Sequence, residues 1–345
     1  MKHIIGGKSA PASPEVKWVE VDEESAGQRL DNFLLRQLKG VPKTHVYRII
    51  RSGEVRVNKG RASAETRVEA GDVVRVPPVR VPERVAEKAA AMQAGGAAPA
   101  REFSVLFEDE AVLAIDKPAG VAVHGGSGVS FGVIEQLRMA RPQARFLELV
   151  HRLDRETSGI LLVAKKRSAL KHLQDQFRER ETGKTYLALV AGQWPAGKKV
   201  LDKPLHKYLL EDGERRVRVV ARDDPDGMKS VTLVKVRSRS GGPAGPAAQG
   251  YSLLEVTIKT GRTHQIRVHL ASEGLPIAGD DKYGDFELNK ALQKPAPGQG
   301  TVPLRRMFLH AWRLQFSHPA SGERIELLAP LPQELERFLA QVIPL

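Results

Sequence analysis

Apolar residues recur every three or four positions in two stretches near the start of the chain. QRLDNFLLRQLKG, residues 28–40, sets Leu30, Phe33, Leu34 and Leu38 on one helical face and ends at Gly40, a residue suited to a helix C-cap. Pro42 can open a second helix with Val46, Ile49 and Ile50 inward and Lys43, Tyr47, Arg48 and Arg51 largely elsewhere. The period then changes to two. EVRVNKGR alternates Val55 and Val57 with Arg56 and Asn58, and VEAGDVVRVPP adds a turn at residues 70–72 and a second short strand. A helix–turn–helix followed by a small strand layer is the reading for this part.

Further along, LELV and ILLVA are strand-like runs separated by the polar DRETSG, which predicts strand–loop–strand. If the first strand stays extended through Asp154, Arg152 and Asp154 share one face and His151 and Leu153 the other. KTYLALVAGQW reads as a strand opening with Tyr186. SLLEVTIKTG reads as another strand. THQIRVHLASEG reads as a helix, with Ile266 and Leu270 at i, i+4 and His264, Arg267 and Ala271 on a shared face. Composition sets the boundaries. Residues 1–15 form a Gly/Ser/Pro-rich flexible tail, 16–82 a small domain, 83–101 an Ala/Gly-rich linker, and 102–345 a larger domain. Residues 240–250 and 293–303 read as flexible surface loops.

Charge narrows the function. The 345 residues carry a net charge of +13, and residues 28–80 alone hold twelve Lys and Arg against five Asp and Glu. Such an excess favours a polyanionic partner, nucleic acid or an anionic membrane surface, and says nothing about fold. There are no cysteines, which excludes disulfides, thiolate catalysis and Cys-ligated metal sites. No run of about 18 apolar residues occurs and the opening stretch has no apolar signal region, so a soluble, cytoplasmic protein is expected.

Three residues stand out chemically. Asp154, in HRLDRETSG, is an acid flanked by Arg152 and Arg155 with His151 three residues back; for an arbitrary Asp the commoner reading is a charged hairpin tip, solvating or capping. Arg267 in an otherwise apolar setting needs an acid partner, because an unpaired buried charge is costly, and Asp154 is a candidate. Tyr186 reads either as a core tyrosine or as a platform on which a base stacks. His264 and His269 are five apart with no Glu between them, unlike a helical zinc pair. DKPAGVAVHGGSG lacks the G-x-x-x-x-G-K-S/T spacing of a triphosphate cradle. A metal-dependent RNA hydrolase is a competing reading that these residues serve poorly. A non-catalytic RNA-binding assembly factor explains the charge but not Asp154, Tyr186 and Arg267 together.

The pieces DKPAG, VHGGSG, LVHRLDRETSGILLVAKK, KTYLALV, GRTHQIRVHL and DDKYG occur in that order and resemble the RluA-type pseudouridine synthases. RLDNFL, RSGEVRVN and AGDVVRV resemble the RNA-binding domain named after small-subunit ribosomal protein S-four. Together the resemblance spans about residues 20–340, with Glu156 standing where the family usually has Asp. It implies an α+β chain: a mixed, largely antiparallel sheet with flanking helices, preceded by a small α/β RNA-binding domain. It further implies that uridine in large-subunit (23S) ribosomal RNA or its precursor is isomerised to pseudouridine, at several sites, with no cofactor and no metal, by a monomer that does not engage membranes. By that pattern Asp154 is the catalytic acid, Arg267 its partner, and Tyr186 packs on a flipped uracil. Arg152, His124, Arg262 and His264 would meet the RNA in the larger domain. Lys43, Arg48, Arg51, Arg56 and Lys59 would meet phosphates in the small one.

Overall fold

A computed structural model describes residues 15–23, 25–38, 41–79, 98–125, 131–211, 213–241, 250–294 and 302–343. Gly40, all but residue 15 of the tail, residues 83–97 of the linker and most of the two surface loops lie outside the described residues. The chain divides into two compact units, residues 1–97 and 98–345.

In the first unit, strand β1 (Lys17–Glu20) precedes helices α1 (Leu30–Gln37) and α2 (Lys43–Arg51), and then strands β2 (Arg56–Val57), β3 (Gly60–Arg61) and β4 (Val73–Val76). The sheet order is β1-β4-β2-β3, all antiparallel. The helical apolar stripes behave as their spacing dictates: Leu30, Phe33 and Leu34 meet Val46, Ile49 and Ile50 in one core with Val55 and Val74. Pro42 caps α2, and Tyr47 donates to the buried Asp31 at 2.8 Å, joining the two helices. Asn58 and Lys59 have φ of 49° and 69°, the left-handed pair of a two-residue hairpin turn, which lifts Lys59 out between β2 and β3.

The second unit continues with β5 (Ser104–Glu108), β6 (Val112–Lys117), α3 (Val133–Ala140), β7 (Glu148–Leu149), β8 (Ser158–Ala164), α4 (Arg167–Glu179), β9 (Gly183–Ala191) and β10 (Val200–Asp202). Then come β11 (Leu205–Leu209), β12 (Arg215–Val219), β13 (Val231–Arg239), β14 (Tyr251–Ile258), α5 (Gln265–Ala271), α6 (Phe286–Leu292), β15 (Leu309–Ser317), β16 (Arg324–Leu328) and α7 (Gln333–Val342). One ten-stranded sheet runs β10-β13-β14-β9-β15-β8-β6-β5, with β16 on β15 and β7 on β8; β11 and β12 form a separate hairpin. Every pair is antiparallel except β8 with β15, so the sheet is mixed and largely antiparallel, and the fold is α+β.

The run ILLVA is apolar throughout because both faces of β8 are covered. Leu161 and Val163 pack with Val133 and Leu137 of α3, while Ile160, Leu162 and Ala164 pack with Ala169 and Leu173 of α4. Ile266 and Leu270 of α5 enter a third cluster with β9, β14 and Phe338 of α7. The ends of β7, β9 and β14 and the start of α5 thereby converge.

Candidate active site

Asp154 owes its position to an early strand end. The strand expected through residue 154 stops at Leu149. Val150 N–H still donates to Leu162 O at 3.1 Å, but the next acceptor is a side chain: Leu162 N–H donates to His151 Nε2 at 3.1 Å. Burial, and then the charge of Lys184, push the His151 imidazole down to about 4, so it stays a neutral acceptor. Its ring stacks on Phe177 at 4.7 Å. With the ring replacing a main-chain carbonyl, residues 152–154 leave the sheet and Asp154 turns toward solvent-filled space. The buried Lys117 ammonium fixes the loop's far side by donating to the carbonyls of Arg155, Pro118 and Val121 at 3.1, 2.8 and 2.7 Å. The loop closes at Gly159, whose φ is 109°; a Cβ there would lie 2.2 Å from Ala311 O.

Arg267, only 3% exposed on α5, does approach Asp154: Nη1 to Oδ2 is 3.5 Å. Its closer partner is one the sequence reading did not assign. Asp280 accepts from Nε at 2.7 Å and from Nη2 at 2.6 Å, a bidentate pair, and Asp281 accepts from Nη2 at 3.2 Å. The backbone N–H groups of Lys282 and Tyr283 also donate to Asp280, at 2.9 and 3.0 Å. Burial works against the charged carboxylate, but the hydrogen bonds and charge of Arg267 outweigh it and hold Asp280 below the usual range. The signal available in sequence was the doubled acid of DDKYG directly after Gly279, a local source of carboxylates for a buried guanidinium fork.

His264 caps α5 with φ 52°, its Nδ1 2.8 Å from the Tyr283 hydroxyl and its Nε2 3.8 Å from Asp154. Burial holds its ring below the ordinary imidazole value, opposed by Asp154. Tyr283 also lies under Arg267, whose guanidinium carbon is 5.2 Å from the ring centre.

Asp154, His264 and Arg267 line one cleft of about 460 Å³, within the range of ligand sites, while Asp280, Asp281 and Tyr283 support it from outside the lining. It brings together Asp154, Tyr186, Arg267, Arg152, Arg262 and His264. Among the described lining residues Asp154 is the one carboxylate. Tyr186 is half-buried on β9, and burial, with Asp154 adding, raises its phenol well above the ordinary value, so it stays protonated. His124 is not brought in: it is exposed on the loop after β6 and does not line the cleft. The reason is topological, since that loop follows the strand two places beyond β15 in the sheet. Lys43, Arg48, Arg51 and Lys59 are exposed on the first unit, and Arg56 is half-buried across from Arg61 and Arg75. His269 is buried, its nitrogens 2.8 Å from Thr232 Oγ1 and 3.0 Å from Lys203 O, which leaves it no ligating role.

A larger cleft of about 890 Å³ lies behind the Asp154 loop, between Asp116, Glu156, Arg306 and Glu334. Its Arg306 is committed to Ser158 Oγ at 2.7 Å and Glu334 at 3.1 Å. Among the described residues, one group with metal-ligand spacing, His206, Asp224 and Asp226, sits apart from both clefts.

Residues 111–272 match the family model described as RNA pseudouridylate synthase, and residues 28–74 match that of the S4 domain. The chain is 51% identical over 330 residues to ribosomal large subunit pseudouridine synthase C of Escherichia coli (strain K12), covering 96% of this chain and 98% of that protein. It is 50% identical over 324 residues to the protein of the same name from Pasteurella multocida (strain Pm70), covering 94% and 93%. Among solved structures it is similar to human RNA pseudouridylate synthase domain containing 4, with a TM-score of 0.54 and 28% identity over 74% of this chain and 95% of that one.

Proposed function

The chain belongs to the RNA pseudouridylate synthase family, and on that premise we propose that it converts uridine to pseudouridine in large-subunit (23S) ribosomal RNA or its precursor. The names of its bacterial relatives support the substrate. The target uridine leaves its stack, at a cost of a few kcal/mol, because its C1′ is unreachable within a paired helix. The C1′–N1 bond breaks, the uracil turns, and a C1′–C5 bond forms; the hydrogen lost from C5 is matched by one gained at N1. Reactant and product are isomers, so the step consumes no oxidant, reductant or group donor, and we propose that it proceeds without a cofactor.

Asp154 is the catalytic carboxylate acting at the ribose. Arg267 aims it, and Tyr186 supplies the surface on which the uracil stacks and turns. Arg152, Arg262 and His264 meet the RNA around the cleft. Lys43, Arg48, Arg51, Arg56 and Lys59 position the strand through phosphates, which fixes register and carries little sequence information. The enzyme works as a cytoplasmic monomer. The observation that carries this reading is a lone carboxylate, a buried guanidinium and a tyrosine converging in one cationic cleft.

Uridine-labelled large-subunit rRNA incubated with the wild-type chain, with chelator present, should yield pseudouridine on nucleotide analysis, and Asp154→Asn should yield none. Unmodified RNA from the wild type would overturn the reading in favour of a binding-only assembly factor. Strand scission in a parallel reaction without chelator, abolished when chelator is added, would favour a hydrolase.

A further inference from the structure

One end of the cleft holds a cation, Lys184, that no carboxylate among the described residues neutralises. Lys184, on β9, is 8% exposed and lines the cleft. Among the described residues its ammonium has no carboxylate and no hydrogen-bond acceptor; its one close partner is the ring of Phe177, 5.3 Å away. Burial lowers its pKa, and the nearest charges, Arg180 and Lys259, lower it further because both are positive. A buried, unpaired cation facing two more cations is destabilising in the free protein.

Its surroundings keep it there. Phe177 is braced by the stack with His151, whose ring is fixed by Leu162 N–H. Arg180 is exposed at the end of α4, held at φ 66°. Lys259 is exposed just beyond β14. The other nearby base, Arg178, is occupied by Asp175 at 2.6 Å and Glu179 at 3.6 Å. Lys184 and Tyr186 are two apart on the same face of β9, about 7 Å along the strand. That is on the scale of the separation between a base and the phosphates flanking its sugar.

We propose that Lys184, with Arg180 and Lys259, forms a phosphate-binding subsite for a backbone phosphodiester next to the uridine presented to Asp154. This rests on the reading of the cleft as a uridine site. A phosphodiester supplies the anion that the protein withholds, and the apolar wall of Phe177 and His151 strengthens the pairing by excluding water.

The test uses the full chain, large-subunit rRNA labelled with tritium at uridine C5, and the variants Lys184→Met and Lys184→Arg. Lys184→Met should raise KM about tenfold while kcat falls much less, and should reduce the slope of log affinity against log salt by about 0.7. Lys184→Arg should restore most of both. Lys184→Met should also raise Tm, because it removes an unpaired buried charge; a purely structural lysine would lower it. Wild-type KM and salt slope in Lys184→Met would overturn the subsite. Should Lys184→Met fail to fold, the exposed pair Arg180→Gln with Lys259→Gln decides: a reduced salt slope supports the subsite and an unchanged one overturns it. Tritium release by the wild type tests the uridine reading separately, since the salt slopes are measured by binding alone.

Discussion

On the proposed reading, the carboxylate of Asp154 acts on a ribose and so cannot be consumed by the cation that orients it. Arg267 resolves this by giving its fork to Asp280 at 2.6 and 2.7 Å and only one nitrogen, at 3.5 Å, to Asp154. Asp154→Asn should therefore cost at least about a thousandfold in turnover, a loss of the size expected when an acting group is removed, with RNA affinity and unfolding midpoint nearly unchanged. Asp280→Asn should behave oppositely. It leaves a buried guanidinium without its main partner, and urea unfolding should show a loss of about 3–5 kcal/mol. The pH dependence follows from the lowered Asp280 pKa. A depressed carboxylate stabilises the fold above its unfolded value, ordinarily 3.8, and that stabilisation is lost as pH falls through the lower folded value. Wild-type stability should accordingly fall more steeply than that of Asp280→Asn below about pH 4; parallel profiles would contradict the pairing. Sequence pointed to Asp154, Tyr186 and Arg267 as residue types in specific motifs. It could not order Arg267's partners, because a contact across 113 positions and one across 13 leave no periodic trace.

The elements that carry these residues were legible where burial imposes a period. Both helices of the first unit, the strand bearing Tyr186 and the helix bearing Arg267 follow their apolar spacing. The segment through Asp154 was not, because a histidine ring ends the ladder where a pleat would have continued. Nor could spacing reveal the parallel contact of β8 with β15, which joins strands far apart in the chain. That contact places a further demand on the Asp154 loop. Gly159 meets Ala311 O and Gly279, φ 79°, meets Arg306 O, each too closely for a Cβ. The segment from 306 to 311 thus backs the loops of both Asp154 and Asp280. Gly159→Ala must shift backbone and adopt a strained φ, so it should destabilise by about 2–4 kcal/mol and lower kcat as the Asp154 loop moves. Denaturant unfolding together with turnover checks both; a stable variant with low kcat would show that the loop shifts without loss of packing elsewhere.

At the scale of the whole chain, the two units differ in what they offer RNA. Residues 98–345 contain the cleft and their own apolar clusters, so every part of the proposed chemistry lies there. The first unit has a separate core and presents Lys43, Arg48, Arg51 and Lys59 outward, with no groups of the cleft among them. Exposed cations of this kind bind by releasing counterions, and each phosphate met contributes about 0.7–0.9 to the salt slope. A chain of residues 98–345 should therefore melt cooperatively and retain pseudouridine formation at saturating RNA, while its salt slope falls by about 2–4 relative to the full chain. Charge reversal of Lys43, Arg48 and Arg51 in the full chain should reproduce most of that change, since a loss caused by truncation strain would not follow surface charge. If turnover at saturation fell as far as affinity, the first unit would be shaping the cleft itself, and a purely electrostatic role for it would be wrong.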